Sequence, residues 1–132
     1  MNAADLLRQQ RQQFLEMHMQ QAREKRLELA EVRQRMQPIV AAAKDLYTGG
    51  FLWDTQEPLR FQYHEDFNNP RVVVRYTCNR YLKVDYDSYA RRYRILNALG
   101  DHERRESFAE ANAAIRRLVE LIAPYILIPE GP

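Results

Sequence analysis

The N-terminal third of the chain has the spacing of apolar residues that an α-helix requires. From Ala3 to about Tyr47 they recur at intervals of three and four residues and form one stripe when plotted at 100° per residue. The stripe is sparse at first and well filled from Leu29 onward. Pro38 lacks the N–H that a helix interior uses, so we expect a kink or a break near it. The pattern predicts a long N-terminal helix that ends at Thr48-Gly49-Gly50.

The predicted helix is too long to be covered by a globular domain of this size. A helix of about thirty residues spans roughly 45 Å at 1.5 Å per residue. Its first part is expected to project, and its apolar stripe then needs a partner, either a second copy or another protein. We predict a projecting helical segment over residues 1–47 and an α+β globular unit over residues 48–132 within a single domain. The predicted interface residues are Leu7, Phe14, Leu15, His18, Ala22, Leu29, Val32 and Met36.

Beyond the helix the apolar pattern changes to the two-residue period of β-strands. Residues 59–67 alternate apolar and polar side chains, and Asn68-Asn69-Pro70 follows as a turn. Val72-Val73-Val74 indicates a second strand, and residues 81–86 indicate a third one after a tight turn. Residues 88–99 fit either a helix or a further strand. The pattern predicts an antiparallel meander of three to four strands.

The C-terminal part of the chain returns to helical spacing. Ser107 and Glu110 are spaced as a capping box, and an apolar helical stripe follows to Ile122. Pro124 ends this helix. The chain has two C-terminal helices if residues 88–99 are helical and one if they form a strand. In both cases the predicted fold class is α+β.

Composition limits the class of protein without naming its function. The chain has 132 residues and a net charge of +2, so one domain is expected and bulk charge selects no partner. A lone cysteine, Cys78, permits no internal disulfide, which is typical of a reducing compartment. No stretch approaches the roughly 20 apolar residues that cross a bilayer, and no signal-peptide pattern is visible. We expect a cytoplasmic protein without membrane contact.

The sequence offers no recognisable catalytic or metal-binding constellation. The three histidines are isolated from one another and from Cys78, which argues against a metal site. Neither a nucleophile elbow nor a phosphate-binding loop is present. We therefore expect no metal, no cofactor and no enzymatic activity. A ligand pocket is a weaker alternative, and its aromatic lining would come from Trp53, Phe61, Tyr63 and Phe108, which are residue types more often found in a core.

Local charge is concentrated in residues 71–94. This segment holds seven basic and two acidic residues, a net of +5, interleaved with tyrosines. Guanidinium groups pair with phosphates or carboxylates, and phenol rings offer stacking surfaces. The same composition is also common on the solvated face of an antiparallel sheet. The predicted residues for binding an anionic partner are Arg75, Arg80, Tyr81, Lys83, Arg91, Arg92 and Arg94.

Two functional hypotheses follow from these patterns. The first is a non-enzymatic interaction or regulatory protein that dimerises, or docks on a protein partner, through its N-terminal helix. The second is a nucleic-acid-binding regulator that uses the basic segment of residues 71–94. Acidic residues interleaved with the basic ones along the helix favour the first hypothesis, because they suggest pairing within the helix.

Overall fold

A computed structural model describes residues 2–128 of the chain, with the side chains of residues 22–28 left out of the description. Its architecture is α+β, with helices on one face of an antiparallel sheet. The main elements are helix α1 (Ala3–Thr48), strands β1 (Phe61–His64), β2 (Arg71–Arg75), β3 (Tyr81–Asp87), β4 (Arg92–Asn97) and β5 (Arg104–Phe108), and helix α2 (Ala111–Ile122). Short 3₁₀ turns lie at Asp66–Asn68 and Ala123–Tyr125.

The predicted meander is present, and within the described residues it has five strands rather than three or four. The strands are antiparallel in the order β1-β2-β3-β4-β5, so each one pairs with its sequence neighbour. Residues 92–97, part of the ambiguous stretch, form β4. The fifth strand was not predicted, because Ser107 was expected to open a helix. Residues 104–108 pair with β4 instead, and α2 begins only at Ala111.

Of the kink or break predicted near Pro38, the break is absent, because helix α1 continues through this residue. Pro38 is on the exposed side of the helix, while Met36 and Ile39 beside it are fully buried. A proline inside a helix costs about 3 kcal/mol because a hydrogen bond is lost and the ring crowds the preceding turn. Burial of the two neighbouring side chains against the sheet offsets that cost.

The core lies between one face of the sheet and the two helices. Residues 29–48 of α1 pack there, although they lie within the helical segment predicted over residues 1–47. The sheet contributes aliphatic side chains that alternate along β2, β3 and β4. The best-buried members of this core are Met36, Ile39, Ala43, Val72, Val74, Leu82, Val84, Ile95, Ala114 and Leu118.

Candidate functional site

The first stretch of α1, residues 3–21, packs against nothing else in the described chain. Every side chain in this N-terminal segment is exposed, including Leu7 at 70% and Phe14 at 67%. Its polar side chains pair only within the helix, as in the contacts of Arg8 with Asp5 (3.0 Å) and Gln12 with Glu16 (3.2 Å). The large apolar side chains left uncovered are Leu6, Leu7, Phe14, Leu15, Met17 and Met19.

Leu7 and Phe14 lie on the same side of α1 as the residues that pack on the sheet. Phe14 and Val32 are 18 positions apart, which is five turns at 3.6 residues per turn. Leu7 and Ala43 are 36 positions apart, which is ten turns. The helix therefore presents a single apolar stripe. Its second part is covered by the sheet, and its first part extends past the sheet uncovered.

The predicted interface residues fall into two groups, those exposed on the N-terminal segment and those packed on the sheet. Four of them, Leu7, Phe14, Leu15 and His18, are exposed on the N-terminal segment. The side chain of Ala22 lies outside the described residues. Leu29 is half-buried, and Val32 and Met36 belong to the chain's own core, so they are not available to a partner. Leu6, Met17 and Met19 were not predicted. On a helical plot Leu6 and Met17 lie along one edge of the stripe, and Met19 lies on the other side of the helix.

Helix α1 is fixed to the sheet just beyond the N-terminal segment. Arg33 donates two hydrogen bonds to the Glu65 carboxylate, at 3.1 and 3.0 Å, and the Tyr63 hydroxyl donates a third at 2.8 Å. The Tyr93 hydroxyl donates to the backbone oxygen of Arg35 at 2.8 Å. The bonds from Tyr63 and Arg33 lower the pKa of Glu65, while burial and the Glu65 carboxylate raise the pKa of Tyr63 to about 12. These contacts define the point at which α1 leaves the globular unit.

Two exposed aromatic side chains lie at the same end of the sheet. Phe67, in the β1–β2 connection, is 92% exposed, and Tyr89, in the β3–β4 turn, is 90% exposed. Phe67 has φ 57° and ψ 28°, a left-handed conformation that is costly for a bulky side chain. Asp87 holds the other turn by accepting hydrogen bonds from the backbone N–H groups of Tyr89 and Ala90. Both bonds lower the pKa of Asp87, and the bond from Ala90 has the larger effect.

Neither aromatic residue was predicted to be exposed. The alternating pattern of residues 59–67 placed Phe67 on a half-buried strand, but β1 ends at His64. Tyr89 lay in the stretch of residues 88–99 that fitted either a helix or a strand, but it is in a turn that follows β3. The only signal in the sequence was the run Asn68-Asn69-Pro70 after Phe67, which indicates a turn but does not reveal which side chain the turn exposes.

The sheet face away from the helices is basic. We call it the open face; its strand positions carry six basic and two acidic side chains, a net of +4. The whole chain carries only +2. The basic residues are Arg71, Arg75, Lys83, Arg92, Arg94 and Arg105, and the acidic ones are Asp85 and Asp87. Charge is therefore distributed asymmetrically over the fold.

Part of this positive charge is already neutralised within the chain. Arg94 forms a two-pronged bond with the buried Asp85 at 2.9 and 3.0 Å, which raises the pKa of the Arg94 guanidinium. Arg71 pairs with Asp66 at 2.9 Å. Within the described residues Arg75 and Lys83 have no acidic partner, and Arg75 lies 5.8 Å from the centre of the Tyr81 ring.

The predicted anion-binding residues are only partly brought together. Arg75, Tyr81, Lys83, Arg92 and Arg94 share the open face. Arg80 instead lies in the β2–β3 connection and pairs with Asp101 at 2.9 Å. Arg91 lies in the β3–β4 turn with φ 54°. Beside Lys83 and Arg94 the open face has a shallow cleft of about 320 Å³ that continues to Arg105 and Ser107 on β5.

Other kinds of site find little support in the described residues. Within that part of the chain no cluster of His, Cys, Asp and Glu side chains is arranged to hold a metal ion. None of its helical stretches has both the length and the apolar character that a bilayer crossing requires. The aromatic residues considered for a pocket do not line one cavity, because Trp53 is buried in the core and Phe61 and Phe108 pack against it.

The chain was compared with known protein families, curated proteins and solved structures. No protein-family model, no curated protein and no solved structure matches the chain. Function must therefore be inferred from the two surfaces described above, the apolar N-terminal segment and the basic open face.

Proposed function

We propose that this protein is a non-enzymatic interaction protein whose N-terminal segment pairs with helix α1 of a second copy. The observation that carries the proposal is the uncovered apolar stripe on residues 3–21, of which Leu7 and Phe14 are each at least two-thirds exposed. An isolated helix of this length is marginal in water, and burial of an amphipathic face is what normally stabilises it. A partner helix supplies that burial.

A comparison of the free energy of apolar burial with the cost of association favours a pair of copies. Full burial of a Leu, Phe or Met side chain contributes about 1.5–3 kcal/mol. Leu6, Leu7, Phe14, Leu15 and Met17, each about half exposed or more, therefore offer on the order of 4–9 kcal/mol per copy if a partner covers them. Association costs about 4–15 kcal/mol in lost motion. A symmetric pair gains the apolar term twice and pays the association cost once, so the balance favours a dimer.

The test is the molar mass in solution over a range of concentrations. We expect the wild-type chain to be a dimer by analytical ultracentrifugation at about 10–100 µM. The double substitution Leu7→Glu, Phe14→Glu places charges on the stripe and should give a monomer with an unchanged circular-dichroism spectrum. The matched control is Gln9→Glu, Gln20→Glu, which adds the same charges to the opposite side of the same segment and should remain a dimer.

The outcome that overturns the proposal is a wild-type chain that stays monomeric throughout this range. Equal loss of association in the stripe variant and in its control would also overturn it, because added charge and not the loss of apolar contact would then be the cause.

A second candidate function is nucleic-acid binding through the open face. The observation that favours it is the net charge of +4 on one side of the sheet, with Arg75 and Lys83 uncommitted to acidic partners in the described chain. Neutralised phosphates release counterions, so such binding weakens steeply with salt. Tyr81 beside Arg75 supplies a ring surface for a base.

Fluorescence anisotropy with labelled single-stranded RNA and duplex DNA tests this candidate. We expect binding at about 50 mM salt that weakens on a logarithmic salt plot with a slope reflecting the phosphates contacted. Arg75→Ala with Lys83→Ala should lower affinity and flatten the slope by about 2. Arg116→Ala, on the exposed side of α2, is the control. Undetectable binding, or binding that is insensitive to salt, would eliminate this candidate.

A further inference from the structure

The two exposed aromatic side chains flank the place where α1 leaves the sheet. In the antiparallel sheet, the end of β1, the start of β2, the end of β3 and the start of β4 all lie at one end, which we call the basal end. Phe67 and Tyr89 are in the two connections at this end. The connections are about two strand spacings apart, or roughly 10 Å.

Contacts along α1 show that its exposed part begins at the basal end. Arg33 bonds to Glu65, which follows β1 and is two residues before Phe67. Tyr47, fourteen positions further along the helix, packs edge-on against Phe61 at the other end of β1, with ring centres 6.5 Å apart. The helix therefore enters the globular unit at the basal end, and the N-terminal segment extends away from it.

The position of the apolar stripe restricts how two such helices can pair. The stripe faces the same side along the whole of α1. A partner that covers it on the N-terminal segment therefore lies on the side of the helix that the sheet covers over residues 29–48. In a parallel pair the two sheets would need the same space, since each sheet lies on the stripe of its own helix. In an antiparallel pair each partner helix fills the space beyond the basal end of the other copy's sheet.

We propose that two copies pair antiparallel along α1, with each N-terminal segment beside the part of the other helix that leads into its sheet, so that the first turns of each partner helix contact Phe67 and Tyr89 of the other copy. This inference rests on the proposed self-association and adds its direction and its second contact surface. Leu6 and Leu7, near the start of the helix, are the residues that meet the aromatic pair. The contact covers apolar rings that are otherwise nine-tenths exposed.

The backbone at Phe67 supports this assignment. Two successive residues, Phe67 and Asn68, have positive φ, at 57° and 52°. Asparagine tolerates this conformation, but phenylalanine does not adopt it readily. An exposed ring held at a conformational cost, with no packing inside its own subunit to explain it, is typical of a contact residue.

Disulfide trapping between single-cysteine chains tests the arrangement. Both chains carry Cys78→Ser to remove the native thiol, which is exposed. One chain carries Leu6→Cys and the other Phe67→Cys. On mild oxidation of the mixture we expect a disulfide between the two different chains. Leu6→Cys alone should give little covalent dimer, since the two Leu6 positions of an antiparallel pair lie about 40 Å apart at 1.5 Å per residue.

The outcomes separate this inference from the proposed function. A dimer in solution that links Leu6→Cys to itself, and not to Phe67→Cys, overturns the antiparallel arrangement and leaves self-association intact. A monomeric wild type overturns both.

A second measurement does not depend on oxidation. Phe67→Gly with Tyr89→Ser should raise the dimer dissociation constant at least tenfold in ultracentrifugation. Ile128→Ser, which removes another highly exposed apolar side chain from outside the basal end, should leave the constant unchanged. Equal dissociation constants for the wild type and the basal variant would also overturn the inference.

Discussion

Two stretches of the same helix have the same apolar stripe and opposite surroundings. Residues 29–48 lie on the sheet, and the Met36 and Ile39 side chains there are fully buried. Residues 3–21 have no described neighbour outside the helix, and each of their side chains is exposed. The comparison shows that helical periodicity specifies which side of a helix is apolar, but does not specify what covers that side.

The two stretches use overlapping kinds of apolar residue. The packed stretch contributes Val32, Met36 and Ile39 to the core. The exposed stretch contributes Leu7, Phe14 and Met17. Methionine occurs in both, so residue type does not distinguish the covered stretch from the exposed one, and only the position along the helix relative to the sheet does.

The largest expected difference between the two stretches is in the effect of truncating an apolar side chain. Met36→Ala should lower the free energy of unfolding by about 2–5 kcal/mol, because it leaves a cavity in the core. Phe14→Ala should change it by less than about 0.5 kcal/mol when measured at a concentration where the chain is monomeric. Urea unfolding followed by circular dichroism gives both values. A cost for Phe14→Ala close to that of Met36→Ala would show that the N-terminal segment packs within its own subunit.

A smaller effect is expected at the contact that fixes the packed stretch. Tyr93→Phe removes the hydroxyl that bonds to the Arg35 backbone oxygen. The loss should be about 1 kcal/mol, because one partly buried hydrogen bond disappears and the ring remains. Tyr89→Phe is the control, since its side chain is highly exposed and lies in a turn. Similar unfolding energies for Tyr93→Phe and the wild type would mean that this bond does not anchor α1.

Removal of the strained side chain at the basal end should stabilise the monomer. Phe67→Gly relieves the left-handed backbone at φ 57° and loses almost no packing, so we expect a gain of about 0.5–1 kcal/mol. Thermal unfolding at low protein concentration measures this gain. Asn68→Gly should give a smaller gain in stability, because asparagine tolerates the same conformation. A loss of stability on Phe67→Gly would indicate that the ring packs within its own subunit.

The smallest effect concerns the ion pair between α1 and the basal end. The pKa of Glu65 is lowered by hydrogen bonds from Tyr63 and then Arg33. A lowered pKa in the folded state means that the contribution is present above the unfolded pKa of about 4.3 and is lost as the pH falls through the folded value. Glu65→Gln should therefore cost about 0.5 kcal/mol at pH 7, since both side chains are substantially exposed.

This difference between the wild type and Glu65→Gln should disappear on acidification below about pH 4. Urea unfolding at several pH values between about 3 and 7 measures it. Asp66 and Asp87 also have lowered pKa values, each held down by its own hydrogen bonds, so both proteins should lose stability in acid. A difference that grows as the pH falls would contradict the assigned role of Glu65.

Much of the fold could be predicted from local patterns. The helical spacing before Thr48 and the two-residue period around Val72-Val73-Val74 gave the main helix and the meander. The fifth strand could not be predicted, because the Arg104–Phe108 stretch has little alternation and is a strand only through its pairing with β4. The continuity of α1 through Pro38 depends on burial of its neighbours, which no local pattern reports.

Some residues of the candidate site were predicted from the sequence and others were not. Leu7 and Phe14 were identified because they lie on the stripe, whereas Val32 and Met36 lie on the same stripe and are in the core. Phe67 was missed because a strand pattern continued past the true end of β1. On the open face, alternation along β3 correctly placed Tyr81 and Lys83 together, but the pairing of Arg94 with Asp85 depends on the register between strands.

The sequence by itself determined the class of the two helices and of the first three strands, and the side on which each is apolar, because both follow from the periods of helix and strand. Only the tertiary structure decided which part of that apolar surface is covered and which aromatic side chains remain in solvent. Coverage depends on where distant segments meet and on how far one helix extends beyond the sheet it packs on. Those are properties of three-dimensional packing, and they leave apolar side chains of residues 3–21, Phe67 and Tyr89 exposed.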